Sequence, residues 1–241
     1  MTRAYGQTII ISAKYQILSE KILYSIIVHI SRKNTNDAKP IKGEKSLNEE
    51  KFFAIISRMK YINRWGLMRN TITENISEHS LETAFIAHVL ALYRNVRFGG
   101  NTDPERCALL AMYHDVTEII TGDLPTPVKY FNAEIKSEYD KVEKMAKKRM
   151  LSYLPEDLRE HYRPLLGHTE EEKELWELVK AADKLSALIK CVEERQMGNT
   201  DFADAERATL DSIHEMDLPE AEEFLREFLP AYTTTLDKQT K

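Results

Sequence analysis

Apolar positions recur along most of the chain at intervals of three and four residues, the period of an amphipathic helix. No alternating run of useful strand length occurs, and glycine is scarce. Ser46, with Glu49 and Glu50 behind it, predicts a helix start before Phe52, Phe53, Ile55, Ile56 and Met59. Ser77 is placed to cap a second helix through Leu81, Phe85, Val89 and Leu92. Asp103-Pro104-Glu105 opens a third, ending at His114, with proline in the first turn. Helices over Ala133 to Leu151, Glu156 to Leu166 and Glu170 to Met197 follow, and two more begin near Thr200 and Pro219. Leu175, Leu178, Val179, Ala182, Leu185, Ile189 and Val192 form one stripe on the helix from Glu170. The expected fold class is all-α.

Composition refines this picture. With 241 residues and 42% apolar content, the chain can bury one substantial core. Residues 1–46 hold eight Lys/Arg against three Asp/Glu, while the remainder holds 26 against 36. The polar stretch Asn34 to Lys45, with Pro40 and Gly43, reads as a linker, so 1–46 is expected to be an extension of unknown role and 47–241 the main domain. Net charge −5 argues against a nucleic-acid polymer as ligand. The apolar run Ile22 to Ile30 is too short to span a membrane, and no signal-peptide cleavage pattern is present. Cys107 and Cys191 sit in helical apolar patterns and read as buried thiols of a reducing, cytoplasmic compartment. The basic run from Lys141 to Arg149 alternates with acids at helical spacing and reads as a solvated face.

The candidate chemistry lies at His114-Asp115, directly after the apolar run Ala108 to Met112. A buried imidazole beside a carboxylate is costly unless both are paired, and a divalent metal suits both donors. Asp183 borders the stripe of the long helix and also needs a partner, either a basic side chain or a metal. His79 sits in the first turn of its helix, where a surface, core or ligand role is open. None of His29, His88, His161, His168 and His214 combines an acidic neighbour at useful spacing with a matching apolar context. Glu118 follows Asp115 by three residues and His114 by four, on the same side if the helix continues. It can act as an acid/base or support His114 from behind.

His79, His114-Asp115 and Asp183, in that order, resemble the H…HD…D signature of the HD superfamily of metal-dependent phosphohydrolases. The text around them resembles the bacterial 5′-deoxynucleotidase family of that superfamily over about residues 50–235: Ile62-Asn63-Arg64-Trp65, Thr73 through Leu81, Met112 through Asp115, Glu118, and Thr121 through Phe131. The resemblance implies an HD-domain helical bundle with a central metal site, a homodimer, and hydrolysis of deoxyribonucleoside 5′-monophosphates with broad base selectivity. His79, His114, Asp115 and Asp183 would hold one divalent ion (Co2+, Mn2+ or Cu2+) that polarises the phosphate and acidifies water. Glu118 would be the catalytic acid/base, and Arg64 would grip and orient the phosphate. Trp65 and Asp123-Leu124-Pro125-Thr126 would border the sugar, with His79, Asp115 and Asp183 lining the phosphate end. Among rivals, alarmone hydrolases extend the dyad to H-D-x-x-E-D, whereas Ile119 follows Glu118 here, and no Gly-Tyr-Pro signature is present. A deoxynucleoside triphosphohydrolase is the alternative enzyme. A nucleotide-sensing HD module is the non-catalytic alternative, and it would have no need of Glu118.

Overall fold

The computed structural model describes residues 50–129 and 131–240, which belong to the compact unit Glu49–Lys241. The extension over 1–46, its linker and the helix start at Ser46 and Glu49 lie outside the described residues. Helices α1 (Phe52–Ile56), α2 (Ile76–Arg97), α3 (Pro104–Tyr113), α4 (Glu118–Thr121) and α5 (Thr126–Lys129) come first. They are followed by α6 (Ala133–Ser152), α7 (Glu156–Tyr162), α8 (Lys173–Gln196), α9 (Ala203–His214), α10 (Pro219–Glu227) and α11 (Leu236–Gln239). Short 3-10 turns extend α1, follow α7, precede α9 and follow α10. Among the described residues there is no strand, only one antiparallel bridge between Asn63 and Asn75.

That bridge fixes the start of α2. Asn75, not Ser77, is its cap: Asn75 Oδ1 accepts from the N–H groups of Ser77 (3.0 Å) and Glu78 (3.1 Å). Glu78 closes a capping box on the Asn75 N–H, which leaves Ser77 inside the first turn. Asp103 caps α3 as the sequence predicts, accepting from Arg106 N–H at 2.9 Å. α3 stops at Tyr113 and does not continue past Asp115. Val116 turns inward to a small cluster with Phe52, Met59, Ile76, Met150 and Leu154, and the chain makes a tight turn before α4. The helix expected through Leu166 breaks at Tyr162, because Pro164 lacks the N–H needed to continue it.

The main core forms where α2, α3 and α8 pack together. The α8 stripe is buried as its pattern predicts, with Leu175 at the margin. α2 differs: it buries Ala84, Ala87, Leu90 and Ala91, while Leu81, Phe85, Leu92 and Val96 are exposed. Small inward residues let helix axes approach closely, while Leu81, Phe85, Leu92 and Val96 are left on the outer face. Cys107 and Cys191 are buried and free, and burial pushes both thiols up to about 12. On α6, Lys141, Lys144, Lys148 and Arg149 are exposed, as expected of a solvated face.

Candidate active site

Three helices meet at one point. His79 comes from the first turn of α2, His114-Asp115 from the end of α3, and Asp183 from the middle of α8. His79 is 0% exposed. Its Nε2 lies 3.0 Å from Asp183 Oδ1 and 3.5 Å from Asp115 Oδ2. His114 Nε2 lies 3.2 Å from Asp115 Oδ2 and 3.9 Å from Asp183 Oδ1. Donor atoms of His79, His114 and Asp115 fall within 4.8 Å of one another. Asp183 stands against both imidazoles at the more open side of the cluster.

The outer nitrogens explain how the rings are set. His114 Nδ1 is 2.6 Å from the Ala111 carbonyl and donates to it, so Nε2 is the nitrogen turned toward the cluster. His79 Nδ1 is 3.0 Å from Ser186 Oγ, whose hydroxyl donates to Glu82 Oε2 at 2.7 Å. Arg64 Nη1 lies 2.8 Å from the same Nδ1, so Ser186 and Arg64 hold that edge of the ring while Nε2 faces the two carboxylates. Both Nε2 atoms are buried without a well-aligned hydrogen-bond partner. Two inward-facing imidazole nitrogens beside two carboxylates make a donor set that a divalent cation fits, and imidazoles fixed through their other nitrogen are the usual supporting arrangement.

Electrostatics agree with a compact mixed-charge centre. Burial lowers the pKa of His79, and the Arg64 guanidinium lowers it further. Burial also opposes protonation of His114, but Asp115 outweighs it and lifts this imidazole to about 9. Burial works against ionised Asp115 and Asp183, yet His114 and His79 respectively hold them below the usual carboxylate range. Glu118 is the opposite case. Burial, then the charges of Asp115 and Asp123, push its carboxyl up to about 9. Its Oε2 is buried and has no hydrogen-bond partner.

Glu118 reaches the site although α3 does not continue, because the turn closes with Glu118 N–H donating to Asp115 carbonyl at 2.9 Å. Gly122 ends α4 with φ +76, a left-handed value that favours glycine, and turns the chain into Asp123. Leu124 and Pro125 are half-buried behind it. α5 starts at Thr126, so the expected loop is partly a helical turn. The side chain of Thr126 lies outside the described set. Burial raises the Asp123 pKa, while Arg64 and the Trp65 backbone act against the rise.

Arg64 sits opposite the cluster. Its Nη1 is 3.1 Å from Glu74 Oε2 and 2.8 Å from His79 Nδ1, and its Nη2 is 3.8 Å from Asp183 Oδ1. Burial opposes its charge, but Glu74, Asp183, Asp115 and Asp123 together raise its pKa. Trp65 adopts φ +59, and its indole Nε1–H donates to Glu74 Oε2 at 2.8 Å. Glu74, Glu82 and Ser186 were not singled out from the sequence. Glu74 occurs in the stretch Thr73 to Leu81, but nothing in periodicity marks it, because its partners reach it across an isolated bridge.

An all-helical unit with two histidines and two aspartates converging from separate helices defines an HD-type phosphohydrolase fold. An HD-domain phosphohydrolase of Listeria innocua superposes with a TM-score of 0.65 at 25% identity, over 79% of this chain and 92% of that one. A cyanophage S-2L HD phosphohydrolase bound to dA and one catalytic Zn2+ ion matches in fold, with a TM-score of 0.53 at 20% identity over 76% and 96%. The chain belongs to the YfbR-like 5′-deoxynucleotidase family, whose sequence model matches residues 51–232. It is 50% identical to a 5′-deoxynucleotidase of Vibrio parahaemolyticus, over 80% of this chain and 99% of the relative. It is 48% identical to that of Vibrio cholerae over the same shares.

Proposed function

We propose that this chain is a 5′-deoxynucleotidase that hydrolyses deoxyribonucleoside 5′-monophosphates to deoxynucleoside and phosphate. The observation that carries the reading is the pair of buried, unpartnered Nε2 atoms of His79 and His114 between Asp115 and Asp183. In this proposal those four residues hold one divalent ion, and the family membership and the 50% identical relative support it. Bound there, the ion supplies Lewis-acid chemistry at a phosphoryl oxygen and lowers the pKa of water.

The chain's own residues do the rest. Arg64, buried among carboxylates and permanently charged, grips the phosphate with a planar fork that lysine cannot copy. A water oxygen adds to phosphorus, the P–O5′ bond breaks, and O5′ leaves with a proton. Glu118 is placed to handle protons at this step: its Oε2 is buried and unengaged, and its carboxyl is held protonated near neutrality. Trp65, Asp123, Leu124, Pro125 and Thr126 border the sugar. Apolar crowding there leaves an added 2′-hydroxyl without a partner.

Phosphate release from dAMP and AMP by metal-loaded protein tests this reading. Crowding rejects an extra hydroxyl by up to about 10²-fold, so dAMP is expected to turn over about 10- to 100-fold faster than AMP. Equal turnover would remove the deoxyribose selectivity, and triphosphate release from dATP would favour the triphosphohydrolase alternative. Chelation should abolish release, and adding back Co2+, Mn2+ or Cu2+ singly identifies the effective ion.

The proposal extends to a cytoplasmic homodimer. Two buried free thiols suit a reducing compartment, and no described helix is long and apolar enough to cross a membrane. Leu81, Phe85 (68% exposed), Leu92 and Val96 form an apolar stripe along the outer face of α2. A large exposed apolar patch marks an interaction surface, and a second copy of the same helix would cover it across a two-fold axis. Sedimentation is expected to show a dimer that Phe85→Glu converts to monomer; a wild-type monomer would overturn the assignment.

A further inference from the structure

The Asn63–Asn75 bridge places Arg64 beside Glu74, with Arg64 N–H donating to the Glu74 carbonyl at 3.0 Å. From this register the Glu74 side chain turns inward and is 11% exposed. Its Oε2 accepts two hydrogen bonds: one from Trp65 Nε1 at 2.8 Å and one from Arg64 Nη1 at 3.1 Å. Its Oε1 lies 3.8 Å from His79 Nδ1. One carboxylate therefore touches the guanidinium and the indole, and stands beside the most buried imidazole.

Trp65 needs that support. A bulky residue at φ +59 occupies a sparsely populated region and persists only where its surroundings hold it. The holds include the indole bond to Glu74, ring contact with Phe202 at 5.3 Å, Asn70 Nδ2 (3.2 Å) and Met68 N–H (2.9 Å) donating to the Trp65 carbonyl, and a bond between the Trp65 backbone and Asp123. Among these, Glu74 is the one whose carboxylate bonds both the indole and the Arg64 guanidinium.

We propose that Glu74 is a positioning residue that locks the phosphate clamp Arg64 and the sugar-facing Trp65 into one rigid unit, so that phosphate gripping and deoxyribose selection are coupled through a single carboxylate oxygen. This rests on the roles given to Arg64 and Trp65 under the proposed function. Glu74 does not touch substrate; it acts through the two residues that do.

The two bonds can be separated. Glutamine keeps a carbonyl oxygen for the indole N–H but loses the charge that holds the guanidinium. Glu74→Gln is therefore expected to raise the KM for dAMP about tenfold while keeping kcat and the dAMP/AMP preference. Glu74→Ala loses both bonds, so KM rises at least as much and the preference falls about tenfold. Metal content is expected to stay unchanged in both.

A spectroscopic arm reads the Trp65 contact directly. The chain has two tryptophans, Trp65 and Trp176, and the buried Trp176 Nε1 has no hydrogen-bond partner, so Trp176→Phe is a benign background. Trp176 also packs in the main core, so all emission is read against the folded Trp176→Phe parent, in which Trp65 emission is expected to shift with Glu74→Ala and to stay in place with Glu74→Gln. Unchanged emission with Glu74→Ala, or KM and dAMP/AMP preference both within twofold of the parent, would overturn the proposal. If Arg64→Ala impairs dAMP turnover and Glu74→Ala does not, this inference alone fails. If Arg64→Ala leaves dAMP turnover intact, the proposed function of the clamp fails first, and this inference falls with it.

Discussion

Glu118→Ala is expected to lower kcat for dAMP by about 10²- to 10⁴-fold, the usual worth of a positioned acid or base. Bound metal and dAMP affinity should be retained. Glu118 stands after the turn that carries His114-Asp115, and its buried Oε2 has no hydrogen-bond partner. Asp183→Ala is the contrasting variant. Asp183 Oδ1 stands 3.0 Å from His79 Nε2 and 3.9 Å from His114 Nε2, so its loss opens the ligand set and metal should be lost with turnover. Metal analysis, calorimetric titration with dAMP and single-turnover kinetics separate the two. Loss of metal from Glu118→Ala would move that residue from the acid/base role to support of the ion.

The largest effect on stability is expected at Glu194. This side chain is 0% exposed, on α8, and ion-pairs with the buried Lys190. It also accepts from the backbone N–H of Thr71 (2.9 Å) and Ile72 (3.1 Å) and from Asn199 Nδ2 (2.7 Å). Glu194→Ala therefore strands one buried ammonium and two backbone donors. Breaking a buried pair from one side costs about 3–5 kcal/mol, which for a domain of this size lowers Tm by roughly 10 °C. Burial alone would raise the Glu194 pKa, but Lys190, Asn199 and the two N–H groups outweigh it and hold the carboxyl well below its ordinary value. A depressed pKa stabilises the fold above the unfolded-state pKa, about 4.3, and that stabilisation is lost as pH falls below it. Thermal melts of Glu194→Gln should accordingly lose less on going from pH 6 to pH 3 than those of the parent. Equal acid sensitivity would show that Glu194 is not among the groups controlling acid unfolding. The same network anchors residues 69–72, which connect Trp65 to Glu74, so a partial effect on dAMP KM is expected as well.

Much of this was legible in the sequence. The α8 stripe and the Asp103-Pro104 start have strong local signals: a clean 3.6-residue period, and a cap followed by proline. His114-Asp115 stood out as a polar dyad closing an apolar helix, His79 and Asp183 joined it only through the family resemblance, and the structure brings the four together. The sidedness of α2 was not legible. That helix carries apolar residues on both faces, and periodicity cannot tell an inward alanine from an outward phenylalanine at Ala84 and Phe85. The end of α3 at His114 was legible to within a residue, but the tight turn that then carries Glu118 to the site was not, because Val116 is drawn in by residues far along the chain, Met150 and Leu154. Glu74 was missed because a two-residue bridge has no periodic signature, and Ser186 because a single hydroxyl on a buried face looks like ordinary core polarity.

The alanine face of α2 also governs how the chain tolerates change. Ala84, Ala87 and Ala91 share one core cluster with Ala111, Ala181 and Ala182, contributed by α3 and α8. Methyl groups have no side-chain torsions to adjust, so an added carbon in this seam can be absorbed only by moving a helix. His79 stands about one turn from Ala84, Asp115 four residues beyond Ala111, and Asp183 directly after Ala182. The seam thus works as a gauge block: the spacing of the three helices is set by the smallest side chains available, and substitutions there register as misalignment of the chemistry before they register as unfolding.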